Sequence, residues 1–486
     1  MVSNISGLLR SWGIKKGDRV ALLLNSSELY VMAIHALTRL GAVTIPLNVR
    51  QSSSELSWQI SDCEPSLILY DSALADLKKD IDKKNGEKGS RIKIQWKSAD
   101  ELKESSIYHS EPMEGGTIDT SLLHSIIYTS GSTGTPKGVE ITVSNLLWNA
   151  ISFGIRHGAI ASDRWLLAMP IFHVGGYTVI FRSVLHGSGI VLHPKFELTE
   201  VSRSIVQDGI TLVSLVPTML VGLLEKLLPD HLPSNLRLIF LGGSNVSRQL
   251  MHQIIERRLP VVLTYGMTES CSQIAISDPL RGEAYNYSYQ VMFPTSVTVR
   301  KNAGEEGFAT NRPGIVGEIL LRGPTIFGGY WGKRRDALSV FKGGWFHTGD
   351  LGYIDSQGGL VVLGRENDMI ISGGENIYPM EVESNLLEHE AIEDAIVFGK
   401  DDPKWGQRVE AILKVKEGFN RPSASELSLF LREKIGSYKI PKAYHFLASS
   451  SFSKTQSGKT KRSREIIEEL LSKNLECTNH EGTATR

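Results

Sequence analysis

The sequence predicts an α/β protein. It has a large N-terminal domain of doubly wound, mostly parallel sheets, a small β subdomain, and a small α+β domain at the C-terminus. Three observations predict this. Between Arg19 and Tyr265, short apolar runs alternate with stretches of helical spacing, the pattern of a parallel sheet covered on both faces. From Ser288 the pattern changes to short strands separated by Gly-rich turns. Beyond Arg365 two helical and two strand-like stretches form a compact module. A chain of 486 residues exceeds one core and suggests roughly two to four domains.

Taken in order, Arg19 to Leu24 is an apolar run that reads as a buried strand. Asn25 or Ser26 is placed to cap a helix bearing Leu29, Met32, Ala33, Ala36, Leu37 and Leu40, which stops at Gly41. Ala42 to Leu47 is the next strand, and helix Ser54 to Cys63 with strand Ser66 to Tyr70 repeats the alternation. Asp71 to Thr120 is rich in Lys, Asp and Glu and reads as a solvated surface segment, with one weak strand at Arg91 to Trp96. Strands are then expected at Arg164 to Met169, Ile190 to His193, Thr211 to Val216, Leu236 to Leu241 and Val261 to Tyr265. The helices expected among them are Ser144 to Arg156, Gly175 to Leu185, Thr199 to Gln207, Thr218 to Leu227 and Ser247 to Arg257. In the β region, strands are expected at Ser296 to Arg300, Gly317 to Arg322, Gly352 to Asp355 and Leu360 to Leu363. The C-terminal module reads as helix Pro379 to Leu387, strands Ile392 to Gly399 and Glu410 to Val415, and helix Ser423 to Lys434. Ser449 to Lys461 is polar and basic, a short amphipathic helix follows, and the composition from about Lys473 predicts disorder.

Composition excludes some classes. Basic and acidic residues balance at 53 each, so the chain is neither a general nucleic-acid binder nor a polybasic membrane anchor. Cys63, Cys271 and Cys477 lack metal-ligand spacing and fit free thiols in a reducing cytosol. Met1 to Gly13 lacks the pattern of a signal peptide. The most apolar window, Ile210 to Leu224, is shorter than the ~20 residues of a spanning helix. A soluble cytoplasmic protein is expected.

In such sheets ligands bind beyond the carboxyl ends of strands. Three loops fall there: Thr129 to Gly138, Gly242-Gly243-Ser244, and Gly266 to Glu269. The first, within Y-T-S-G-S-T-G-T-P-K-G-V, is the most informative. It sets the hydroxyls of Thr129, Ser130, Ser132 and Thr133 among three glycines, after an apolar run and before Lys137. Glycine lets backbone N–H groups approach an anion, hydroxyls donate further bonds, and lysine adds charge. The loop suits a polyphosphate, although its spacing is not that of the Walker loop.

Six motifs then stand in one order: Y-T-S-G-S-T-G-T-P-K-G at Tyr128, F-L-G-G-S at Phe240, Y-G-M-T-E-S at Tyr265, W-F-H-T-G-D-L-G at Trp345, G-R-E-N-D-M-I-I-S-G-G-E-N-I-Y-P at Gly364, and S-G-K at Ser457. Together they resemble the adenylate-forming acyl-activating family of acyl-CoA synthetases, luciferases and nonribosomal adenylation domains, from about Ile14 to Leu471. The resemblance implies two half-reactions, in which an acid reacts with ATP to give an acyl-adenylate and a thiol, usually coenzyme A, then displaces AMP. It implies ATP, Mg2+ and coenzyme A as ligands.

By that resemblance Thr129, Ser130, Ser132, Thr133 and Lys137 cradle the β- and γ-phosphates. Gly242, Gly243 and Ser244 back the adenine, and Tyr265 stacks on it. Thr268 contacts the α-phosphate, Glu269 helps hold Mg2+, and Asp350 and Arg365 contact the ribose. Lys459 bridges carboxylate and α-phosphate during adenylation. Taken alone, Tyr265 also reads as a core aromatic, Asp350 as a turn cap, Arg365 as a surface ion pair, and Lys459 as a solvated lysine. Arg365, Glu366 and Asn367 fall where the family hinges, with Asn367 at the pivot, whose unusual backbone angles asparagine tolerates. An ordinary turn is the alternative. The implied organisation is an adenylate-binding domain over residues 1–364, a hinge at 365–367, a mobile domain over 368–472, and a tail. Rotation about the hinge exchanges Lys459 for the Gly373-Gly374 loop that lines the thiol's tunnel.

The stretch Phe172-His173-Val174-Gly175-Gly176, Arg182 on the following helix, I-S-G-G-E-N-I-Y-P and D-P-K-W-G-Q resemble the 2-succinylbenzoate–CoA ligases of menaquinone synthesis. That acid keeps a second carboxylate on its ring. Arg182 is a candidate partner for it, a guanidinium being well matched to a carboxylate; a snorkelling surface arginine is the alternative. His173 is expected to gate the site between acid and thiol, or simply to pack. The alternative activities are a fatty- or aryl-acid CoA ligase, an amino-acid adenylation domain and a nucleotide-binding pseudoenzyme; a homo-oligomer stays open. Two departures stand out. The family's G-S-x-G-x-P after the Y-G-M-T-E motif is replaced by Tyr287 to Met292, altering the expected floor of the acyl pocket, where Ser288 would lie. The match also starts late in the family pattern, so an upstream start or a less stable N-terminal subdomain with an exposed sheet edge is expected.

Overall fold

The computed structural model describes residues 1–87, 94–106, 117–129, 136–226, 232–243, 246, 248–280, 288–300, 309–332, 340–372, 375–403, 405–447, 452, 464–472 and 476–479. Its first sheet has six strands in the order Gln95–Ser98, Leu67–Tyr70, Arg19–Leu23, Val43–Pro46, Leu123–Thr129 and Lys137–Thr142. All pairs are parallel except the last, a hairpin that flanks the Gly-rich loop. The sequence pattern misses Lys137–Thr142 because its apolar residues merge with those of the helix after it, Val143–His157. The helix Glu28–Leu40 is capped by Ser27, whose Oγ accepts from the Tyr30 N–H at 3.2 Å. Asn25 does not cap it; its backbone N–H donates instead to Asp71 Oδ2 at 2.6 Å.

The charged segment is more ordered than its composition suggests. Helices Ala75–Glu87 and Ala99–Ser106 flank the strand Gln95–Ser98. Ile81 and Leu102 are fully buried while the acidic and basic side chains take the outer faces. Few apolar residues suffice, because each lies on the one stripe that meets the sheet.

The second sheet runs Gln290–Val291, Ser272–Ile276, Val261–Met267, Leu238–Leu241, Leu212–Leu215, Arg164–Leu167 and Gly189–Leu192. Its five predicted strands are parallel neighbours, and two antiparallel strands extend the edge beside Val261–Met267. The third sheet is antiparallel throughout, built on Gly317–Arg322, Trp345–Ile354 and Leu360–Arg365. The W-F-H-T-G-D motif lies within the strand Trp345–Ile354. In the C-terminal sheet, Ile392–Asp402 and Gly406–Val415 form a long hairpin, and Ala443–Phe446 lies parallel to the second of them. Helices Pro379–Leu386 and Ala424–Arg432 cover one face, and Arg464–Ser472 with Phe452 covers the other. Where composition predicts a disordered tail, Glu476–Asn479 pairs antiparallel with Ala443–Phe446. No helix among the described residues is long and apolar enough to cross a membrane. Cys63 and Cys271 are buried and free.

His124 sits inside the first sheet, where its Nε2 lies 2.7 Å from Thr38 Oγ1. The Thr38 hydroxyl already donates to the Ile34 carbonyl, so the ring donates to Thr38 as a neutral Nε2–H tautomer. Burial lowers the pKa of His124 to about 3, and that of His157 likewise to about 3. Two predictions follow from this packing. Leu102→Ala will destabilise the chain by about 2–5 kcal/mol, read as a lower urea midpoint; a midpoint unchanged would return the segment to a solvated surface. Below pH ~6.5 the unfolded chain protonates these imidazoles and the folded chain does not, so stability falls as pH drops toward 4. The urea midpoint at pH 5 will lie below that at pH 7, and His124→Gln will shrink the difference.

Candidate active site

The end of the strand Val261–Met267 supplies Tyr265, and a short 3-10 turn after it, Thr268–Ser270, supplies Thr268 and Glu269. Ser270 Oγ staples that turn: it accepts from the Met267 N–H at 2.9 Å and donates to the Ser272 carbonyl at 2.7 Å. Cys271 and Ser272 follow with φ of 54° and 84°, the left-handed region that side chains resist. Asn149, from the helix Val143–His157, holds the Cys271 carbonyl through its Nδ2 at 2.7 Å.

Asp350 comes from the third sheet. Its backbone is fixed by Thr348, whose Oγ1 accepts the Asp350 N–H at 2.9 Å and donates to the Ile319 carbonyl at 2.7 Å. The Tyr265 hydroxyl donates to Asp350 Oδ2 at 2.7 Å, and Arg365 Nε meets Oδ1 at 2.8 Å. Arg365 Nη1 also donates to the Thr348 carbonyl at 3.0 Å. Burial raises the pKa of the Tyr265 phenol and the Asp350 charge raises it further, so the hydroxyl stays a donor. Burial opposes the charge on Arg365, yet Asp350, Tyr265 and Glu269 outweigh it and raise its pKa. Asp350 is thus neither a turn cap nor loosely placed; three motifs far apart in sequence converge on it.

The phosphate side is built similarly. Thr129 and Lys137 are register partners across the hairpin, holding the two ends of the Gly-rich loop together. Lys137 Nζ lies 5.1 Å from the ring centroid of Tyr330, and the Tyr330 hydroxyl donates to Glu269 Oε1 at 2.9 Å. Gly242 and Gly243 follow the strand Leu238–Leu241. A Cβ at Gly242 would lie 2.1 Å from Thr264 Oγ1, so only glycine fits beside the neighbouring strand. Ser130, Ser132, Thr133, Ser244, Gly373, Gly374 and Lys459 lie outside the described residues.

Other expected residues are placed differently from the sequence reading. Arg182 is not a snorkelling surface side chain: it is 2% exposed, its Nε donates to Asn149 Oδ1 at 2.9 Å, and its guanidinium faces the rings of Phe153 and Trp165. Its Nη2 is buried and has no partner among the described residues, and burial lowers its pKa to about 10. It therefore sits beneath the Cys271 turn, linked to it by Asn149. His173 precedes the helix Val174–His186, packs on Phe172, and has a buried Nε2 without a partner. Burial lowers its pKa to about 4, with Arg50 adding to the effect, so it is neutral at pH 7. Ser288 lies against Gly359 in the β subdomain, and Tyr289 beside it faces Tyr265 at 6.2 Å. Asn367 lies exposed in the 3-10 turn Glu366–Asp368, and the unusual φ, 136°, belongs to Gly364 rather than to it. Tyr289 and Tyr330 are the residues that sequence reasoning missed. Tyr330 had a local signal in Gly328-Gly329-Tyr330-Trp331, but nothing in the sequence links it to Glu269.

Among the described residues no cluster of three or more His, Cys, Asp or Glu side chains can hold a metal by itself. A magnesium carried by a triphosphate keeps waters and needs only one or two carboxylates. Glu269 fits that case, since its bond to Tyr330 uses Oε1 and leaves Oε2 outside that bond.

The comparisons with known proteins agree with this geometry. Residues 1–331 match the model of the AMP-binding enzyme family, and residues 381–459 match that of the AMP-binding enzyme C-terminal domain. A 2-succinylbenzoate–CoA ligase of Bacillus licheniformis is 39% identical over 443 residues, 91% of this chain and 88% of that protein. The corresponding ligase of Bacillus velezensis is 37% identical, over 89% of this chain and 84% of that protein. Among solved structures, the o-succinylbenzoate CoA synthetase of Bacillus subtilis in complex with ATP and magnesium superposes with a TM-score of 0.84 at 34% identity, covering 95% of this chain and 92% of that one. The same enzyme with its acyl-adenylate intermediate gives 0.83 at 34%, covering 96% and 91%. Matched along most of its length, the chain belongs to the AMP-binding enzyme family.

Proposed function

We propose that this chain is an AMP-forming acid–thiol ligase that converts 2-succinylbenzoate to 2-succinylbenzoyl-CoA, a step of menaquinone synthesis. The observation that carries the reading is the Tyr265–Asp350–Arg365 contact set beside the Lys137–Tyr330–Glu269 set. The first suits an adenine and a ribose, since a carboxylate accepts two O–H donors. The second suits a polyphosphate, with a cation over the Tyr330 ring and a carboxylate at its hydroxyl. The named relatives supply the acid.

In the first half-reaction a carboxylate oxygen attacks the α-phosphorus of ATP, the bond to the bridging oxygen breaks, and pyrophosphate leaves. In the second a thiol sulfur attacks the acyl carbon and AMP leaves. Both reactants of the first step are anionic, so catalysis rests on orientation and charge neutralisation. Magnesium supplies positive charge at the phosphate oxygens when it is bound. Lys137 with Thr129, Ser130, Ser132 and Thr133 holds the terminal phosphates, Thr268 meets the α-phosphate, and Glu269 holds the metal. Gly242, Gly243 and Ser244 back the base. Lys459 serves adenylation, and the Gly373-Gly374 loop replaces it for the thiol after rotation near Gly364 to Asn367. His173, neutral at pH 7, sits at the junction of acid and thiol and acts by shape rather than charge. Arg182 Nη2, buried and without a protein partner, is a donor suited to the second carboxylate of the acid. A cytoplasmic location fits free thiols and soluble substrates.

The closest alternative is a ligase of the same kind for a fatty or simple aryl acid. ATP–pyrophosphate exchange across a panel of acids separates the two, with 2-succinylbenzoate expected to exceed benzoate. Equal exchange would defeat the substrate assignment. Arg182→Met is expected to raise KM for 2-succinylbenzoate about tenfold or more, with KM for ATP within about twofold. A parallel rise in both would mean that Arg182 acts only through packing. Asp350→Asn is expected to raise KM for ATP about tenfold or more, because a carboxamide cannot accept from two ribose hydroxyls as the carboxylate does. Thermal melts of the variant check that the fold is kept.

A further inference from the structure

Tyr330 belongs to a short connector that reaches two parts of the site at once. On one side it pairs with the strand that leaves the Gly-rich loop. Val139 and Tyr330 form an antiparallel bridge, Trp331 N–H donates to the Gly138 carbonyl at 2.8 Å, and Glu140 N–H donates to the Gly329 carbonyl at 3.1 Å. On the other side it holds the acidic residue of the Y-G-M-T-E motif twice. Phe327 N–H donates to the Glu269 backbone carbonyl at 2.9 Å, and the Tyr330 hydroxyl donates to Glu269 Oε1 at 2.9 Å. The Tyr330 ring is itself fixed, packing edge-on against Phe327 at 4.9 Å, and Phe327 packs in turn on Phe341 and Phe346. Its other neighbour is the ammonium of Lys137, 5.1 Å from the ring centroid. Tyr330 is 8% exposed, so both contacts are made out of bulk water, where they count for more.

We propose that Tyr330 is a positioning residue with two separable parts. Its hydroxyl aims the Glu269 carboxylate at the cation that arrives with the nucleotide, and its ring holds the Lys137 ammonium toward the phosphates. A carboxylate on a single acidic side chain has free rotation about its last bonds, and a donor to one oxygen settles which lone pairs of the other face the metal. A ring beside an ammonium attracts it through the quadrupole without neutralising its charge, so Lys137 keeps its full charge for the anion. A direct Lys137–Glu269 ion pair would instead spend both charges on each other. Tyr330 offers each a separate contact, its ring to Lys137 and its hydroxyl to Glu269. This inference rests on the nucleotide-binding part of the proposed function and not on the identity of the acid.

The test is calorimetric binding of ATP to the whole chain, without any acid, in excess Mn2+ and again in EDTA. The ratio of the two dissociation constants is the readout. Tyr330→Phe removes one oxygen atom and keeps the ring, the packing on Phe327 and the face toward Lys137. It is expected to shrink the Mn2+-dependent gain in affinity about tenfold, toward the value for Glu269→Gln, and to leave ATP binding in EDTA within about twofold of the parent. In the double variant the Phe substitution is expected to add nothing to the Gln substitution, since the two groups act as one. Tyr330→Leu, which also removes the ring, is expected to weaken ATP binding in EDTA as well. An unchanged Mn2+ gain in Tyr330→Phe, losses that add in the double variant, or equal losses with and without metal would overturn the proposal. If the parent chain binds no ATP at all, the nucleotide site itself is wrong and the proposal falls with it. If the parent binds ATP but 2-succinylbenzoate supports no exchange, only the acid was misassigned.

Discussion

The carboxylate of Asp350 ties the molecule together. It is 6% exposed, and a buried carboxylate is tolerated only where donors replace the water it has lost. Here the donors come from two directions: the Tyr265 hydroxyl from the second sheet, and the Arg365 guanidinium from the end of the β subdomain, just before the C-terminal region. The third sheet, which carries both Asp350 and Arg365, must therefore sit where the Tyr265 hydroxyl can reach it. That requirement explains the rest of its anchoring, in which Thr348 ties the strand to Ile319 and Glu318 Oε1 accepts the Gly349 N–H at 3.2 Å. Glu318 is in turn held by Arg300 and His347 at 2.9 and 2.8 Å. A ligand hydroxyl that donates to Asp350 would act where the second and third sheets meet.

The phosphate side uses a different device. Lys137 and Glu269 carry opposite charges close enough to share one neighbour, and the ring of Tyr330 is that neighbour. Below the same turn lies another charge without a carboxylate partner, Arg182, held by Asn149 and two aromatic rings. A buried cation of this kind is costly unless something compensates it. Its compensation in the chain is partial, since Nη2 has no partner.

Much of this was legible in the sequence. The alternation from Arg19 to Tyr265 predicted mostly parallel sheets, and the shift near Ser288 predicted the β subdomain, because period and turn residues are local properties. The order of the motifs brought Thr129, Lys137, Gly242, Tyr265, Glu269, Asp350 and Arg365 into one hypothesis, and the structure brings Tyr265, Asp350 and Arg365 into direct contact. The failures were also physical. The helices of the charged segment bury few residues, so composition hid them, although Ile81 and Leu102 anchor them fully.

The sequence by itself determined the class of fold, most of the order of the elements and the residue types of the motifs, because these depend on neighbours a few positions apart and on side-chain chemistry. Only the tertiary structure decided which of those residues touch. Tyr330 and Glu269 are 61 positions apart and Tyr265 and Asp350 are 85 apart, so their pairing depends on how sheets stack rather than on any local pattern. The same holds for Arg182, whose helix placed it on a face but whose burial was set by Phe153, Trp165 and Asn149 arriving from other elements. Long-range contacts of this kind arise from packing, and packing is a property of the whole folded chain.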